Sequence, residues 1–325
     1  MTPIDPAVAL TLPMIEAAHR RIADRIRRTP MLTSGVLDGE AQAQLFFKAE
    51  NFQCVGAFKA RGAANAVLSL SDHDARLGVV THSSGNHAAA LARAARLRGV
   101  PAYIVMPENA PRSKRASVLR YGGKVVDCAP NLAAREAEAA RVEAETGAVF
   151  IPPYNDLAVM AGQGTVAVEM LQDVPGLDLI LCPVGGGGLL SGVAVAAKGI
   201  RPQIEVVAVE PSGADDAFRS MEAGHIIPAE NPQTVADGLR TSLGDKTFPV
   251  IQRHVDRIVT VSDELIIQAM RTVWEVLKVV IEPSAAVAYA AVLAAQVDVR
   301  GRRVGIILTG GNLDLDSLPW SRPGH

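Results

Sequence analysis

Residues 51–62 read Asn-Phe-Gln-Cys-Val-Gly-Ala-Phe-Lys-Ala-Arg-Gly, which places a single lysine, Lys59, directly after Phe58 and between two glycines. A lysine at the start of a helix is usually an ordinary surface residue, and the local pattern alone allows that interpretation. The apolar neighbours Ala57 and Phe58 favour another one. An amine removed from water loses its proton more readily, and only a deprotonated amine attacks a carbonyl carbon. The stretch therefore indicates a lysine nucleophile.

Three runs of small and polar residues follow along the chain: Ser-Ser-Gly-Asn-His at 83–87, four glycines at 185–188 and Thr-Gly-Gly-Asn at 309–312. Each is a turn rich in backbone amides, which suits an anion or the edge of a ring. The four glycines lie between a predicted strand at 179–184 and a predicted helix at 189–198, and a helix N-terminus favours phosphate. A tight structural turn is the alternative. A lysine nucleophile together with such cradles indicates a bound phosphorylated aldehyde.

Composition excludes several other classes of protein. The chain has 325 residues, 49% of them apolar, and a net charge of −2, which gives no case for nucleic acid or an anionic membrane surface. The glycine run lacks the Gly-Lys-Ser/Thr ending of a P-loop and the GxGxxG spacing of a dinucleotide site. The three cysteines are far apart, which argues against a zinc site or disulfide framework. Together with an N-terminus that lacks an apolar signal segment, they suit the reducing cytoplasm.

Predicted helices and strands alternate along the whole chain, as in a parallel α/β sheet. One series of such patterns runs up to about residue 151, and a second series begins there. Among the predicted helices are those at 14–28, 264–279 and 285–297. The sequence pattern itself therefore predicts two α/β units, without showing how the chain divides between them.

The four runs, in this order, resemble those of the fold-type II pyridoxal-phosphate (PLP) enzymes, the family of threonine dehydratases, serine racemases and hydroxyaspartate dehydratases. The resemblance extends from about residue 15 to residue 316. It implies an α/β fold like that of tryptophan synthase β, with two parallel-sheet domains and PLP in the cleft between them. It also implies that residues 1–50 and 152–325 form a large PLP-binding domain and residues 51–151 a small one.

The resemblance assigns cofactor roles to residues of all four runs. Lys59 would form the Schiff base beside Phe58, Asn86 would bond the 3′-oxygen of PLP, and Thr309 would bond its pyridine nitrogen. The phosphate would lie against Gly185, Gly186, Gly187, Gly188 and Leu189. A neutral hydroxyl does not keep the pyridine nitrogen protonated, so the ring is a weaker electron sink and elimination is favoured. The alternative for Thr309 is a hydroxyl that caps the end of a strand.

The resemblance places the substrate at the second run and at two positions outside it. Residues Ser83, Ser84, Asn86 and His87 would hold the substrate carboxylate at a helix N-terminus, although Ser and Asn also serve as simple N-caps. Ser84 stands where threonine dehydratases usually carry Ala, and it would act as a second catalytic group opposite Lys59. Arg135 and Ser242 would lie on the substrate side. The alternative for Arg135 is a surface ion pair with neighbouring acids.

An acidic loop at 210–216, Glu-Pro-Ser-Gly-Ala-Asp-Asp, follows a predicted strand. Two carboxylates and a turn carbonyl suit a hard divalent cation, although spacing alone also allows a solvated acidic loop. The segment resembles the metal loop of serine racemases. That resemblance implies that Glu210, the carbonyl of Ala214 and Asp216 bind Mg²⁺, Mn²⁺ or Ca²⁺.

The sequence therefore predicts a PLP-dependent dehydratase (ammonia-lyase) of a small 3-hydroxy amino acid, with 3-hydroxyaspartate ahead of threonine and serine. A threonine or serine dehydratase is one alternative. An amino-acid racemase that uses Lys59 and Ser84 on opposite faces is another, and a catalytically silent PLP-holding protein is a third. The segment at 154–156 departs from that of animal serine racemases, which weakens the racemase alternative. We expect a cytoplasmic homodimer that binds a small amino acid and neither nucleic acid nor membrane.

Overall fold

The computed structural model describes residues 10–110 and 112–320. Residues 1–9, which belong to the predicted large domain, lie outside the described residues, as do residues 321–325. None of the described helices is both long and apolar enough to cross a membrane. The helices are α1 (Leu12–Ile22), α2 (Gly35–Ala41), α3 (Lys59–Ser69), α4 (Asp72–Arg76), α5 (Asn86–Arg98), α6 (Arg112–Arg120), α7 (Leu132–Thr146), α8 (Leu157–Asp173), α9 (Gly188–Ile200), α10 (Asp216–Ala223), α11 (Thr247–His254), α12 (Asp263–Thr272) and α13 (Pro283–Leu293). The strands are β1 (Met31–Leu32), β2 (Gln44–Ala49), β3 (Val79–His82), β4 (Ala102–Pro107), β5 (Lys124–Cys128), β6 (Val149–Phe150), β7 (Leu179–Pro183), β8 (Glu205–Pro211), β9 (Arg257–Val261) and β10 (Arg303–Leu308).

The larger sheet is built from both ends of the chain. Its order is β1-β2-β10-β7-β8-β9, and all neighbours are parallel except β1 and β2. The early strand β2 pairs along its whole length with the last strand β10, and strands β3 to β6, which follow β2 in the chain, form a separate sheet. Strand β7 is buried throughout, as expected for a parallel strand covered on both faces.

The smaller sheet has four parallel strands in the order β5-β4-β3-β6, and all of them lie between residues 79 and 150. Helices α5 and α7 pack against this sheet through separate clusters of buried Ala, Val, Leu and Ile side chains. The prediction of an α/β fold with two parallel sheets is therefore confirmed. The exact domain boundaries at residues 50 and 151 stay a prediction.

Some predicted helix ends were wrong. The helix predicted at 14–28 ends at Ile22, because the backbone amide and carbonyl of Arg27 are both bonded by the side chain of Gln53 instead. The helix predicted at 264–279 widens into a π-helical turn at Val273–Leu277 and stops at Lys278, which is left-handed with φ 60°. The helix predicted at 285–297 ends at Leu293.

Helix α8, which the apolar patterns did not single out, lies at the centre of the molecule. It is buried from Val159 to Leu171 and packs against α3 and α9 through glycines. A Cβ atom at Gly162 would lie 2.6 Å from the Cα of Gly62, and one at Gly192 would lie 2.3 Å from the carbonyl oxygen of Met160. The three helix backbones touch at these points, so α3 and α9 are held in fixed positions on either side of α8.

A buried ion network holds α3 against α8. The guanidinium of Arg61 donates to both oxygens of Glu50 at 2.7 and 2.8 Å and to both oxygens of Glu169 at 2.8 Å. Lys48 of β2 donates to Glu169 at 2.7 Å, and all four side chains are almost completely buried. Burial alone would raise the pKa of Glu169, but the hydrogen bonds and charge of Arg61 hold it at about 2. The two positive and two negative charges of the network cancel, so replacing any member by an uncharged residue leaves a buried charge without a counter-charge.

We expect Arg61→Met to destabilise the protein by about 3–5 kcal/mol, because it leaves Glu50 and Glu169 buried without their shared cation. The measurement is the midpoint of thermal and denaturant unfolding. Arg141→Met is the matched control, since Arg141 pairs with Glu138 and Glu145 on the exposed face of α7. It should change the midpoint little. Equal midpoints for both variants would show that the network does not support the fold.

Candidate active site

A cavity of about 690 Å³ opens between the two sheets. It lies at the C-terminal ends of β3, β7 and β10, where open parallel sheets usually bind their ligands. The structure brings every predicted cofactor and substrate residue to its wall: Phe58, Lys59, Ser83, Ser84, Asn86, His87, Arg135, Gly185, Gly186, Gly187, Gly188, Leu189, Ser242 and Thr309. The predicted metal residues Glu210, Ala214 and Asp216 lie outside this wall.

Lys59 is held at the start of α3 by backbone contacts with the end of β10. The amide of Phe58 donates to the carbonyl of Thr309 at 3.0 Å, and Ala57 pairs with Gly310. The Lys59 amine donates to the carbonyl of Pro153 at 2.6 Å and forms no ion pair within the described residues. Burial lowers its pKa to about 8. A larger fraction of this amine is therefore neutral at physiological pH than of an exposed lysine, as a nucleophile or base requires.

The loop at 83–87 joins β3 to α5 and leaves the first turn of that helix free for a ligand. The N-cap is Gly85, which has no side chain to accept from the helix amides. The hydroxyl of Ser83 accepts from the amide of Gly85 at 3.3 Å rather than from the helix itself. Such an N-terminus favours a carboxylate, so the geometry supports anion binding over the simple N-cap alternative.

The four glycines join β7 to α9 in a turn with no room for side chains. Gly187 has φ 86°, a left-handed conformation that glycine adopts without strain. A Cβ atom at Gly186 would lie 2.4 Å from the ring of Tyr154, and one at Gly188 would lie 2.8 Å from the Cβ of the same residue. The turn thus exposes backbone at the N-terminus of α9, and it fits a phosphate group.

Glu282 and Thr241 are among the polar residues of the cavity wall that the sequence analysis did not single out. Glu282 lies in the wall with its carboxyl buried, and burial raises its pKa to about 8. Its signal in the sequence is only that of a lone acid before Pro283, at the start of an apolar helix. Thr241 also lines the cavity, beside Gly185. Its predicted neighbour Ser242 is engaged elsewhere, because its hydroxyl accepts from the amide of Ala229 at 2.8 Å.

Arg135 supplies positive charge at the edge of the cavity. Within the part of the chain that the structure describes, its side chain forms no ion pair with a carboxylate, and the one hydrogen bond of that side chain is a long contact of 3.4 Å to the carbonyl of Asn131. Glu138, its possible partner, pairs with Arg141 instead. The surface ion-pair alternative therefore finds no support, and the guanidinium is free to meet an anion from the cavity.

The acidic loop forms a separate, buried site. The Glu210 carboxylate accepts from the amides of Ala217 and Phe218 at 2.9 and 2.8 Å, at the start of α10. Asp216 accepts from Leu243 with one oxygen, while its Oδ1 is buried and has no partner. No cluster of three His, Cys, Asp or Glu side chains suited to a metal occurs among the described residues. Two buried carboxylates with an unused oxygen nevertheless fit a cation that takes backbone carbonyls and water as further ligands.

Comparison with known proteins supports a single family. The family described as "Pyridoxal-phosphate dependent enzyme" matches residues 22–310. The chain is 52% identical over 305 residues to a β-hydroxyaspartate dehydratase of Paracoccus denitrificans, covering 94% of this chain and 97% of that protein. It is also 52% identical over 309 residues to a serine racemase of Arabidopsis thaliana, covering 94% of this chain and 93% of the relative.

Solved structures agree with the sequence relatives. The structure of maize serine racemase superposes with a TM-score of 0.93 at 48% identity and covers 95% of each chain. A pyridoxal 5′-phosphate-dependent aspartate racemase superposes with a TM-score of 0.90 at 38% identity, covering 98% of this chain and all of the other. The fold thus has close counterparts in a serine racemase and in an aspartate racemase.

Proposed function

Because the chain belongs to the family of pyridoxal-phosphate dependent enzymes, we propose that it is a dehydratase that converts 3-hydroxyaspartate to a 2-oxo acid and ammonia. The α-proton and the β-hydroxyl leave the substrate together as water. The resulting enamine becomes an imine, which takes up water again and releases ammonia. The observation that carries the proposal is the unpaired Arg135 at the edge of a cavity whose other wall holds the lysine amine.

The choice of an acidic substrate rests on charge. A substrate with two carboxylates needs a second anion site besides the N-terminus of α5, and the planar guanidinium of Arg135 suits a carboxylate. Two relatives point the same way, since the β-hydroxyaspartate dehydratase and the aspartate racemase are both named for acidic amino acids. Threonine and serine offer Arg135 no second carboxylate and are the less favoured substrates.

Bound PLP would supply the electron sink that makes the α-proton acidic. The residues of this chain supply everything else. Lys59 would hold the cofactor and, as a partly neutral amine, would take the α-proton. The amides at 185–188 would hold the phosphate, and the hydroxyl of Thr309 at the end of β10 would face the pyridine nitrogen. The N-terminus of α5 orients the substrate carboxylate, so that the α-proton is presented to Lys59.

An amino-acid racemase is the second candidate, and Ser84 is the observation that favours it. Its side chain lines the same cavity as Lys59, and inversion needs a second acid or base on the opposite face. The serine racemase relative is as similar to this chain as the dehydratase. The two reactions differ in product: recovered amino acid of the opposite configuration marks a racemase, and a 2-oxo acid marks a dehydratase.

We further propose that Glu210, Asp216 and the carbonyl of Ala214 bind a divalent cation. The support is the buried Oδ1 of Asp216, which has no partner in the described structure. Burial raises the pKa of Glu210 to about 8 and that of Asp216 to about 6, so an adjacent cation would remove an electrostatic cost. The homodimer and the cytoplasmic location stay predictions from the sequence.

Lys59→Ala should lose both the visible absorbance of bound PLP and all turnover, because the other lysine in the described cavity wall, Lys114, is engaged in an ion pair with Asp237. The measurement is an absorbance scan of the purified protein together with ammonia release. Lys198→Ala is the control, since Lys198 pairs with Asp256 on the surface. A Lys59→Ala protein that kept both the band and the activity would refute the assignment.

Removal of divalent cations should lower the melting temperature of the wild-type protein. A cation at one hundred times its dissociation constant stabilises a fold by about 2.7 kcal/mol. Asp216→Asn should abolish the response to added Mg²⁺ and to chelator. Asp215→Asn should keep it, because Asp215 pairs with Arg219 instead. If chelator leaves the melting temperature of the wild-type protein unchanged, the metal proposal is wrong.

Arg135→Ala should reduce kcat/KM for 3-hydroxyaspartate by roughly ten- to a hundred-fold, since a hydrogen bond to a charged group is worth about 1.5–3 kcal/mol. Turnover of serine should change far less. The measurement is 2-oxo acid formation from the stereoisomers of 3-hydroxyaspartate, threonine and serine. Arg141→Ala, on the same helix but paired with glutamates, is the control. A wild-type preference for threonine, or equal loss of all substrates, would refute the acidic-substrate proposal.

A further inference from the structure

Glu282 is a buried acid in the cavity that has no part in the reaction as proposed above. It is 5% exposed, and it forms no ion pair within the described residues. Its backbone amide donates to the carbonyl of Gly310 at 3.0 Å, which fixes the side chain beside the end of β10. A Cβ atom at Gly310 would lie 2.7 Å from its Oε1, so the carboxyl packs directly on the backbone next to Thr309.

The Glu282 carboxyl closes a ring of hydrogen bonds across the cleft. Asn86, the first residue of α5, donates to its Oε1 at 2.9 Å, and the amide of Asn312 donates to its Oε2 at 3.2 Å. The side-chain amide of Asn312 donates to the side-chain oxygen Oδ1 of Asn86 at 2.9 Å. It also donates to the backbone carbonyl of Val55 at 2.7 Å. The ring therefore connects the start of a small-sheet helix, the end of a large-sheet strand and the loop before Lys59.

This ring determines which way the Asn86 amide points. Its oxygen accepts from Asn312, and one of its two N–H groups donates to Glu282. One N–H donor is left over, and Asn86 lies in the cavity wall. Without an acceptor at position 282, only the hydrogen bond from Asn312 would oppose the rotated alternative, and the N–H group that faces position 282 would have no partner there.

The charge of Glu282 matters because the cavity must accept an anionic cofactor. Burial, and after it the charge of Asp237, raise its pKa to about 8, although the hydrogen bond from Asn86, the charge of Lys114 and the amide of Asn312 act to lower it. The other titratable or charged groups in the described wall are Lys59, His82, His87, Arg135, Glu136, Tyr154 and Arg240. Burial lowers the pKa of Lys59 to about 8 and that of His87 to about 3. Near neutral pH Glu282 is thus mostly an uncharged acid, and it becomes a buried anion when the pH rises.

We propose that Glu282 is a positioning residue that orients Asn86 toward the cofactor while it is a neutral acid, and that its ionisation weakens the hold on the cofactor. A carboxylate beside a phosphorylated ring repels it, whereas a carboxylic acid does not. The inference depends on the PLP site and is independent of which amino acid is the substrate. PLP retention should therefore decline as the pH passes through the pKa of Glu282.

The test uses pyridoxine 5′-phosphate, which carries the ring hydroxyl group and the phosphate of PLP but has no aldehyde for a lysine to attack. Its affinity is measured by fluorescence titration of the full-length chain freed of cofactor, from pH 6.5 to 9.5. All variants carry Lys59→Ala, so that the titration of that amine contributes nothing. Comparison between variants cancels the titration of the probe itself.

The protein with Glu282 should lose about tenfold more affinity over this range than its Glu282→Gln counterpart, which corresponds to a ligand that raises the pKa of the acid by one unit. Gln keeps one oxygen acceptor for Asn86 but cannot ionise. Glu282→Met, which accepts no hydrogen bond, should bind weakly at every pH. Asp237→Asn is the control for a neighbouring carboxylate: it should keep the tenfold decline in affinity, with the midpoint moved to lower pH because Asp237 raises the pKa of Glu282.

Parallel pH profiles for the Glu and Gln proteins would overturn the charge argument. Equal affinities of the Gln and Met proteins would overturn the positioning argument. Loss of the pH dependence in Asp237→Asn would assign it to Asp237 instead. If Gln and Met proteins fail to fold, Glu282→Asp provides the remaining test: it should keep the steep pH profile, and a flat profile refutes the proposal. Because the probe is not a substrate, each of these results leaves the proposed reaction intact.

Discussion

The position of Lys59, the proposed nucleophile, depends on the guanidinium of Arg61, two residues along the same helix. Arg61 is bonded to Glu50, directly after β2, and to Glu169, in the middle of α8. Both acids are immobile because they belong to packed elements of the large sheet and its central helix. The start of α3 is therefore fixed to the part of the molecule that carries the glycine turn. Lys59 lines the cavity, and Arg61 in the same helix turn binds the two buried carboxylates.

The sequence predicted the fold class and the membership of the cavity wall because both depend on local chemistry. Each run follows from a simple physical requirement. The lysine needs an apolar setting to lose its proton, and the serine-rich and glycine-rich runs expose backbone amides at helix starts. The order of these runs then identified the family. The strand β7 and the helix after it were placed within two residues, since an apolar strand followed by glycines has few alternatives.

What the sequence could not predict depends on contacts between distant residues. Helix α8 has no clear apolar stripe because it is buried on all sides, and only its packing against α3 and α9 makes its glycines intelligible. The end of α1 is set by Gln53, which is distant in sequence from Arg27. Glu282 carries no motif, and its role follows only from the hydrogen bonds that reach it from Asn86 and Asn312.

The electrostatics of the cavity favour anion binding by dipoles rather than by charges. Burial lowers the pKa of His87 to about 3 and that of Lys59 to about 8, and it raises the pKa of Glu282 to about 8. Each shift favours the neutral form, so the floor of the cavity carries less charge than its residues suggest. Phosphate and carboxylate must then be held by the backbone amides at the starts of α5 and α9, which hold anions without carrying a formal charge. The guanidinium of Arg135 remains at the edge of the cavity, where we propose that it selects a second carboxylate, apart from the Lys59 amine that we propose as the base.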